Sequence, residues 1–397
     1  MADVDFPEPD VMPETIEPAT LKTRIDDGDA VTILDVRMSG EYDEWHIDGE
    51  SVETTNVPYY EFLDEDIGED VFESLPEDEQ ITVVCAKGKA SEYIAGVLAK
   101  EGYDAVNVAD GMNGWASIYE AVELEGYDGA GTVFQYQRPS SGCLGYLVVD
   151  GDEAAVIDPL RAFTDRYLDD AQAHDAELVY ALDTHVHADH VSGIRALAEA
   201  GVEAVLPAAA IDRGVEDAEK LTAGSDGDVF TVGDVEIEAI HTPGHTTGMT
   251  SYLVGERLLA TGDGLFVESV ARPDLEAGDE GAEDAAKQLY ETLQERILPL
   301  ADDVLIAGGH TSEAADTAPD GTYTAPLGEL REEMDALSMS ESEFVQAVLA
   351  DMPPRPANYE AIIATNLGQN AIDDAEAFTL ELGPNNCAAS QDSLAGD

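Results

Sequence analysis

Positive charge is what this chain has least of. Its 397 residues hold 18 Lys and Arg against 86 Asp and Glu, a formal net charge of -68. A surface so one-sided repels phosphate backbones and anionic headgroups, which excludes nucleic acid and acidic membranes as partners. The acids are scattered in clusters such as Asp26-Asp-Gly-Asp29, not gathered in one tail. Such repulsion is tolerable where the Debye length shrinks to about 3 Å, near 1 M salt, so the composition reads as that of a halophile's protein. Long hydrophobic runs are also lacking: none approaches the ~18 apolar residues of a membrane span. The opening Met1-Ala-Asp-Val-Asp-Phe-Pro-Glu8 has neither a basic nor an apolar leader segment, so the expected location is cytoplasmic. Three cysteines, Cys85, Cys143 and Cys387, are too few and too odd in number for a disulfide framework. No heptad or apolar stripe reports on oligomeric state.

A hydrophobic content of 44% is enough for proper cores, and the length suits two domains. Residues 1–13 are acidic and proline-bearing and are expected to be a flexible tail. Strand-like runs at Val31–Val36, Ile81–Cys85 and Ala105–Val108, separated by helical stretches, predict a doubly wound α/β domain over 14–122. Residues 123–131, rich in Gly and acid, read as a linker. From Thr132 consecutive strands with interspersed helices predict a two-sheet α/β sandwich over 132–380, and 381–397 reads as a second flexible tail.

The first chemical constellation is Cys85-Ala86-Lys87-Gly88-Lys89-Ala90-Ser91. It follows a hydrophobic strand and opens a helix, so loop amides and the helix amino end favour a thiolate at Cys85. Two lysines fall within these seven residues, where the chain average of basic residues gives about 0.3. With Asp35-Val-Arg37, Glu41-Tyr42, His46-Ile-Asp-Gly49 and Gly111-Met-Asn-Gly-Trp115, the segment resembles a single-domain rhodanese. The resemblance implies that Cys85 carries a sulfane sulfur as a persulfide, that residues 86–91 cradle it, and that Asp35 and Arg37 form a structural pair. The loop departs from many members in carrying lysines where they carry arginines.

The second is Thr184-His-Val-His-Ala-Asp-His190. Eight histidines in the whole chain would place about 0.1 in any six-residue window, so three at His185, His187 and His190, with Asp189, signal a metal. Alternate residues of an extended segment point the same way, which lets His185 and His187 converge. His241, His245, Asp263 and His310 each follow a predicted strand and are further candidates, whereas His46 and His174 read as a loop contact and a helix residue. The order of motifs resembles the metallo-β-lactamase superfamily, which implies an αββα sandwich with a metal cup. The matching positions are His185, His187, Asp189, His190, His245, Asp263 and His310, and Asp158 matches a buried supporting acid; His241 lies outside the pattern.

That superfamily holds both hydrolases and oxidases. A dinuclear-zinc thioester hydrolase of the glyoxalase II kind clamps glutathione with carboxy-terminal basic residues, yet residues 311–397 contain only Arg331 and Arg355. The persulfide dioxygenase branch uses one Fe(II), and the resemblance implies His185, His245 and Asp263 as its ligands. His187, Asp189, His190 and His310 then orient those ligands, or in the hydrolase alternative help hold a second metal. Cys143, Arg272 and the stretch from Pro353 to Gly368 also fit that branch, Arg272 being a candidate catalytic fork onto a substrate carboxylate. Thr311-Ser312 stands where a glutathione-handling member tends to carry tyrosine. A rhodanese beside such an enzyme makes chemical sense, because one handles sulfane sulfur and the other oxidises it. The expected substrates are a low-molecular-weight thiol persulfide and O₂, with a sulfane-sulfur donor or acceptor at Cys85. A third reading keeps a metallo-hydrolase and makes the rhodanese a non-catalytic docking module.

Overall fold

The computed structural model describes residues 6–63, 71, 72, 75, 76, 79–312, 315–350, 352–383, 387–389 and 394. The chain divides into two compact units between Ile118 and Tyr119. The first is built on strands β1 (Glu14–Ile16), β2 (Val31–Asp35), β3 (Val52–Asn56), β4 (Ile81–Val84) and β5 (Ala105–Val108). They pair in the order β1-β5-β4-β2-β3, all parallel. Parallel sheets need both faces covered, and β4 and β5 are buried along their whole length. One face carries Ala90, Ile94, Ala95 and Leu98 of the helix Lys89–Glu101, which recur at helical spacing. The other carries Leu21, Met112 and Trp115 from the helices Pro18–Asp26 and Gly111–Ala116. The domain is the doubly wound rhodanese-like fold. Within the segment read as a loose amino-terminal tail, Phe6 packs edge-on against Tyr59 at 5.5 Å and Asp10 pairs with Lys100 at 2.8 Å.

The second unit has two sheets. One comprises β6 (Glu120–Glu123), β7 (Thr132–Arg138), β8 (Cys143–Asp150), β9 (Glu153–Ile157), β10 (Glu177–Leu182), β11 (Glu203–Pro207) and β12 (Thr222–Gly224), in the order β12-β11-β10-β9-β8-β7-β6. The other runs in sequence from β13 (Val229–Val232) through β14 (Val235–His241), β15 (Thr250–Val254), β16 (Leu258–Gly262) and β17 (Leu305–Gly308) to β18 (Thr324–Pro326). Leu144, Tyr146, Val148 and Ile157 of the first sheet meet Val232, Ile237, Tyr252 and Val254 of the second in one buried cluster. Tyr167, Ala171 and Leu197 from the helices Thr164–Ala173 and Ile194–Glu199 cover the outer face of the first sheet. Leu289, Leu330, Phe344 and Val348, from Asp274–Thr292, Leu327–Glu333 and Glu341–Ala350, cover the second. This is the αββα layering of the metallo-β-lactamase fold.

Two boundaries differ from the sequence reading. The expected linker at 123–131 starts too late, because β6 already pairs antiparallel with β7 and Leu124 is buried in the inter-sheet core. The expected tail after 380 is in part packed: Glu381 is buried against Arg138, Ala388 bridges Ala271, and Leu394 joins the apolar cluster under the second sheet. Those contacts run through backbone and isolated side chains, which leave no periodic pattern to read. Among the described residues no helix is long and apolar enough to cross a membrane.

Candidate metal centre and cysteine loop

The histidine motif leaves the end of β10 and is held there by a residue in a costly conformation. Asp158, just after β9, has φ 52, left-handed backbone that only Gly, Asn and Asp visit readily. Its carboxylate accepts the Thr184 amide at 2.7 Å and the Thr184 hydroxyl at 2.9 Å. Thr184 Oγ1 in turn lies 2.9 Å from His185 Nδ1, so the opposite ring nitrogen, Nε2, is turned into the cup. On the other sheet, His245 Nδ1 donates to the Arg272 carbonyl at 2.9 Å, which aims its Nε2 in the same way. Asp263 follows β16 after Gly262, whose φ is 49 and where a Cβ would come within 2.4 Å of Thr184 Oγ1. Only glycine lets the two sheets approach so closely here.

His185 Nε2 and His245 Nε2 stand 3.5 and 3.6 Å from Asp263 Oδ2. All three atoms are buried and lack a hydrogen-bond partner among the described residues. Stranding three polar atoms at one point is costly unless something binds them. A divalent ion at about 2.0–2.2 Å from each would bridge such gaps. The protonation states suit that use. Burial, aided by the neighbouring His187, holds His185 down to about 4, and burial also lowers His245. Burial opposes ionisation of Asp263, but His310 and His185 outweigh it and bring the carboxyl well below its ordinary range. Two neutral imidazoles and a carboxylate result.

The remaining motif residues are brought together around this point. His310 Nδ1 lies 2.6 Å from Asp263 Oδ1 and its Nε2 lies 3.0 Å from Asp189 Oδ2, so both ring nitrogens are engaged with carboxylates. His190 Nδ1 is 2.7 Å from the same Asp189 oxygen. His187 Nε2 is 3.2 Å from Asp158 and 3.8 Å from Asp183. Burial and His190 oppose its charge, yet those carboxylates raise it to about 9. Cys143 is fully buried, with Ser141 Oγ donating to its sulfur at 3.0 Å and its thiol 3.4 Å from Asp189 Oδ2.

Arg272 is placed differently from the sequence expectation. It is buried, and its guanidinium forks onto Asp274 at 2.8 and 3.1 Å and reaches the Pro354 carbonyl at 2.9 Å. The nearest partner for the fork is two residues away in the chain. Its carbonyl, not its charge, serves the cup, through His245.

Two contributors had no role assigned from the sequence, although Asn366 lies in the stretch that resembles the dioxygenase branch. Asn366 Nδ2 donates to the carbonyls of His187 and His190, both at 2.9 Å, while its Oδ1 accepts the Ser192 amide at 2.9 Å, pinning the histidine loop. The thiol of Cys387 enters the cup, its sulfur and ligand atoms of Asp189, Asp263 and His310 all lying within 4.8 Å of one another. Burial and the two carboxylates push that thiol well above its ordinary value. Its being one of only three cysteines was the single signal available. His46 and His241 lie elsewhere, their rings bonded to the carbonyls of Tyr42 and Thr247.

In the first unit Cys85 closes β4, buried, and Ser91 Oγ donates to its sulfur at 3.2 Å. Gly88, with φ 82, turns the loop into the helix Lys89–Glu101, and Lys87 and Lys89 are exposed. At Gly111 a Cβ would strike the Cys85 carbonyl at 2.0 Å, so glycine permits the Met112 amide to bond that carbonyl at 2.8 Å. Asp35 and Arg37 are a buried bidentate pair, with Arg37 also reaching the Trp45 carbonyl, as a structural role requires.

Comparison with known proteins agrees with this architecture. Residues 17–118 match the rhodanese-like domain family and residues 140–310 the metallo-beta-lactamase superfamily. The mitochondrial persulfide dioxygenase ETHE1 of Homo sapiens is 29% identical over 242 residues, covering 59% of this chain and 86% of the relative. The crystal structure of ETHE1 from Myxococcus xanthus is 28% identical with a TM-score of 0.50, covering 59% of this chain and 98% of that one. A metallo-beta-lactamase from Staphylococcus aureus is 26% identical with a TM-score of 0.56, covering 62% and 74%.

Proposed function

Because the chain joins a rhodanese-like domain to a metallo-β-lactamase domain and is homologous to persulfide dioxygenases, we propose that it oxidises a low-molecular-weight persulfide, R–S–SH, with O₂ and water to sulfite and the thiol. The observation that carries the reading is the trio of buried atoms without partners, His185 Nε2, His245 Nε2 and Asp263 Oδ2. Two histidines and one carboxylate at a shared point are the donor set of mononuclear non-haem iron. Bound there, iron(II) supplies open coordination positions and the redox chemistry by which O₂ and a persulfide react. The protein's part is orientation: Thr184 and Asp158 fix His185, the Arg272 carbonyl fixes His245, and His310 fixes Asp263. His310, with a carboxylate at each ring nitrogen, is the feature of this set that favours one metal over two.

Cys85 carries sulfane sulfur in the other domain. The Ser91 hydroxyl steadies its sulfur, and Lys87 and Lys89 give the loop a local positive field in an otherwise acidic chain. The location is cytoplasmic and the host a halophile, in keeping with the charge balance.

The deciding experiment is metal analysis of protein purified without oxygen in high salt, combined with O₂ uptake on adding a persulfide. The expected result is one iron per chain and persulfide-dependent uptake. Two zincs and no uptake would overturn the reading in favour of thioester hydrolysis.

A further inference from the structure

Arg213 lies on a segment braced between the two loops that carry the cup's histidines. It follows the short helix Ala208–Ile211, which seats on the turn after His245: a Cβ on Gly248 would come within 2.7 Å of the Ala210 Cβ and amide nitrogen. On the other side the Glu216 amide donates to the Leu367 carbonyl at 2.7 Å, and Gln369 Nε2 donates to the Gly214 carbonyl at 3.1 Å. Leu367 adjoins Asn366, whose amide holds the carbonyls of His187 and His190. The backbone at Arg213 is therefore fixed against both loops.

Its side chain is 16% exposed and donates no hydrogen bond among the described residues. Every other lysine and arginine of the second unit donates at least one. Glu276 Oε1 stands 3.5 Å from Arg213 Nε, too far for an N–H···O bond. Both Glu276 oxygens are already taken, by the Thr247 amide at 2.8 Å and the Thr247 hydroxyl at 2.7 Å. Burial lowers the Arg213 pKa, and Glu276 offsets only part of that fall. None of the guanidinium nitrogens is sealed from solvent. In a chain with 86 Asp and Glu, this is a guanidinium fork that no carboxylate of the second unit has captured, and an anion seated on it would recover the cost of its burial.

We propose that Arg213 is an anion subsite for the thiol half of the substrate: its fork takes a carboxylate of the thiol that carries the sulfane sulfur, so persulfides of carboxylate-bearing thiols are preferred. This rests on the persulfide-oxidising function proposed above. Other cations that could serve are engaged within the protein: Arg331 with Asp302, Arg355 with Asp274 and Asp279, and Arg272 with Asp274. Arg213 reads the end of the substrate remote from the reacting sulfur, so its contribution is to selection among thiols.

The test uses full-length, metal-loaded protein in concentrated KCl and two matched pairs of persulfides, mercaptopropionate against mercaptopropanol and mercaptohexanoate against mercaptohexanol. In the parent, kcat/KM from O₂ uptake is expected to favour the acid over its alcohol by about tenfold or more in at least one pair. Arg213→Met brings that ratio down to about one, and Arg213→Lys recovers part of it. The alcohol measured on the same protein separates this effect from a folding defect. Calorimetry with the methyl thioethers of the same acids, which carry no sulfane sulfur, should show binding weakened about tenfold in Arg213→Met. A parent that treats acid and alcohol alike in both pairs, an unchanged ratio in Arg213→Met, or thioethers bound equally by the two proteins would overturn the proposal. Absence of O₂ uptake with every persulfide would instead strike the dioxygenase reading, because thioether binding is measured without turnover.

Discussion

Glu381 offers a quantitative test of how the carboxy-terminal segment supports the cup. Its side chain is 1% exposed, with one oxygen accepting Arg138 Nη1 at 2.7 Å and the other the Val191 amide at 2.8 Å, next to His190. Arg138 is 0% exposed and lies over the rings of Phe163 and Phe378 at 5.3 and 5.5 Å. Glu381→Leu leaves a guanidinium buried without its carboxylate, a change that costs about 3–5 kcal/mol. At about 2 °C per kcal/mol for a unit this long, the melting transition of the second domain falls by about 6–10 °C. Calorimetry in concentrated KCl checks this, and the transition of the first domain serves as an internal control. Arg138→Met combined with Glu381→Leu removes both charges, so only the lost acceptor for Val191 remains, at about 1–3 kcal/mol. A single variant that melts within about 2 °C of the parent, or a double variant no better than the single, would refute the assignment of this pair as a buried anchor.

Three further outcomes are expected. Burial opposes charge on Asp274, but Arg272 and Arg355 outweigh it and lower its folded value, so its stabilising contribution is present above the unfolded aspartate value of about 3.9 and lost as pH falls through the folded one. Denaturant midpoints across that acid range should therefore slope less in Asp274→Asn than in the parent. With a net charge of -68, the midpoint of thermal unfolding should rise with KCl and drop steeply below about 0.5 M, and a midpoint indifferent to KCl would contradict the halophilic reading. Cys85→Ser should abolish sulfane-sulfur transfer by the rhodanese-like domain while leaving O₂ uptake from a supplied persulfide intact, and loss of both activities would argue against two separable sites.

Where chemistry was local, it could be read directly. The strands predicted at Val31–Val36, Ile81–Cys85 and Ala105–Val108 lie within a residue of those found, because β2, β4 and β5 are driven by Val, Ile and Leu that have to be buried. His185, His245 and Asp263 converge because each follows the end of a strand, and strand ends on facing sheets meet along one edge. What escaped was carried by single residues, some of it long-range. Cys387 depends on backbone pairing with 270 and 271, and Arg272 on a carboxylate two positions away that captures its fork. Nothing in the spacing of Asn366 announces that its amide spans the carbonyls of His187 and His190. Strand β6 was assigned to the wrong side of the boundary because an edge strand reading Glu-Ala-Val-Glu is too short and polar to declare its partner.

The trio proposed to hold the metal draws His185 from the sheet that contains β10 and His245 with Asp263 from the sheet that contains β14 and β16. Its three atoms become neighbours only after the two halves of the sandwich have docked. An ion shared by all three would therefore be held only once the two sheets have docked. Such an ion would act as a clasp across the inter-sheet seam, adding stability that grows with the logarithm of free metal. For a chain of net charge -68, metal supply and ionic strength would then be interchangeable means of keeping the same seam closed.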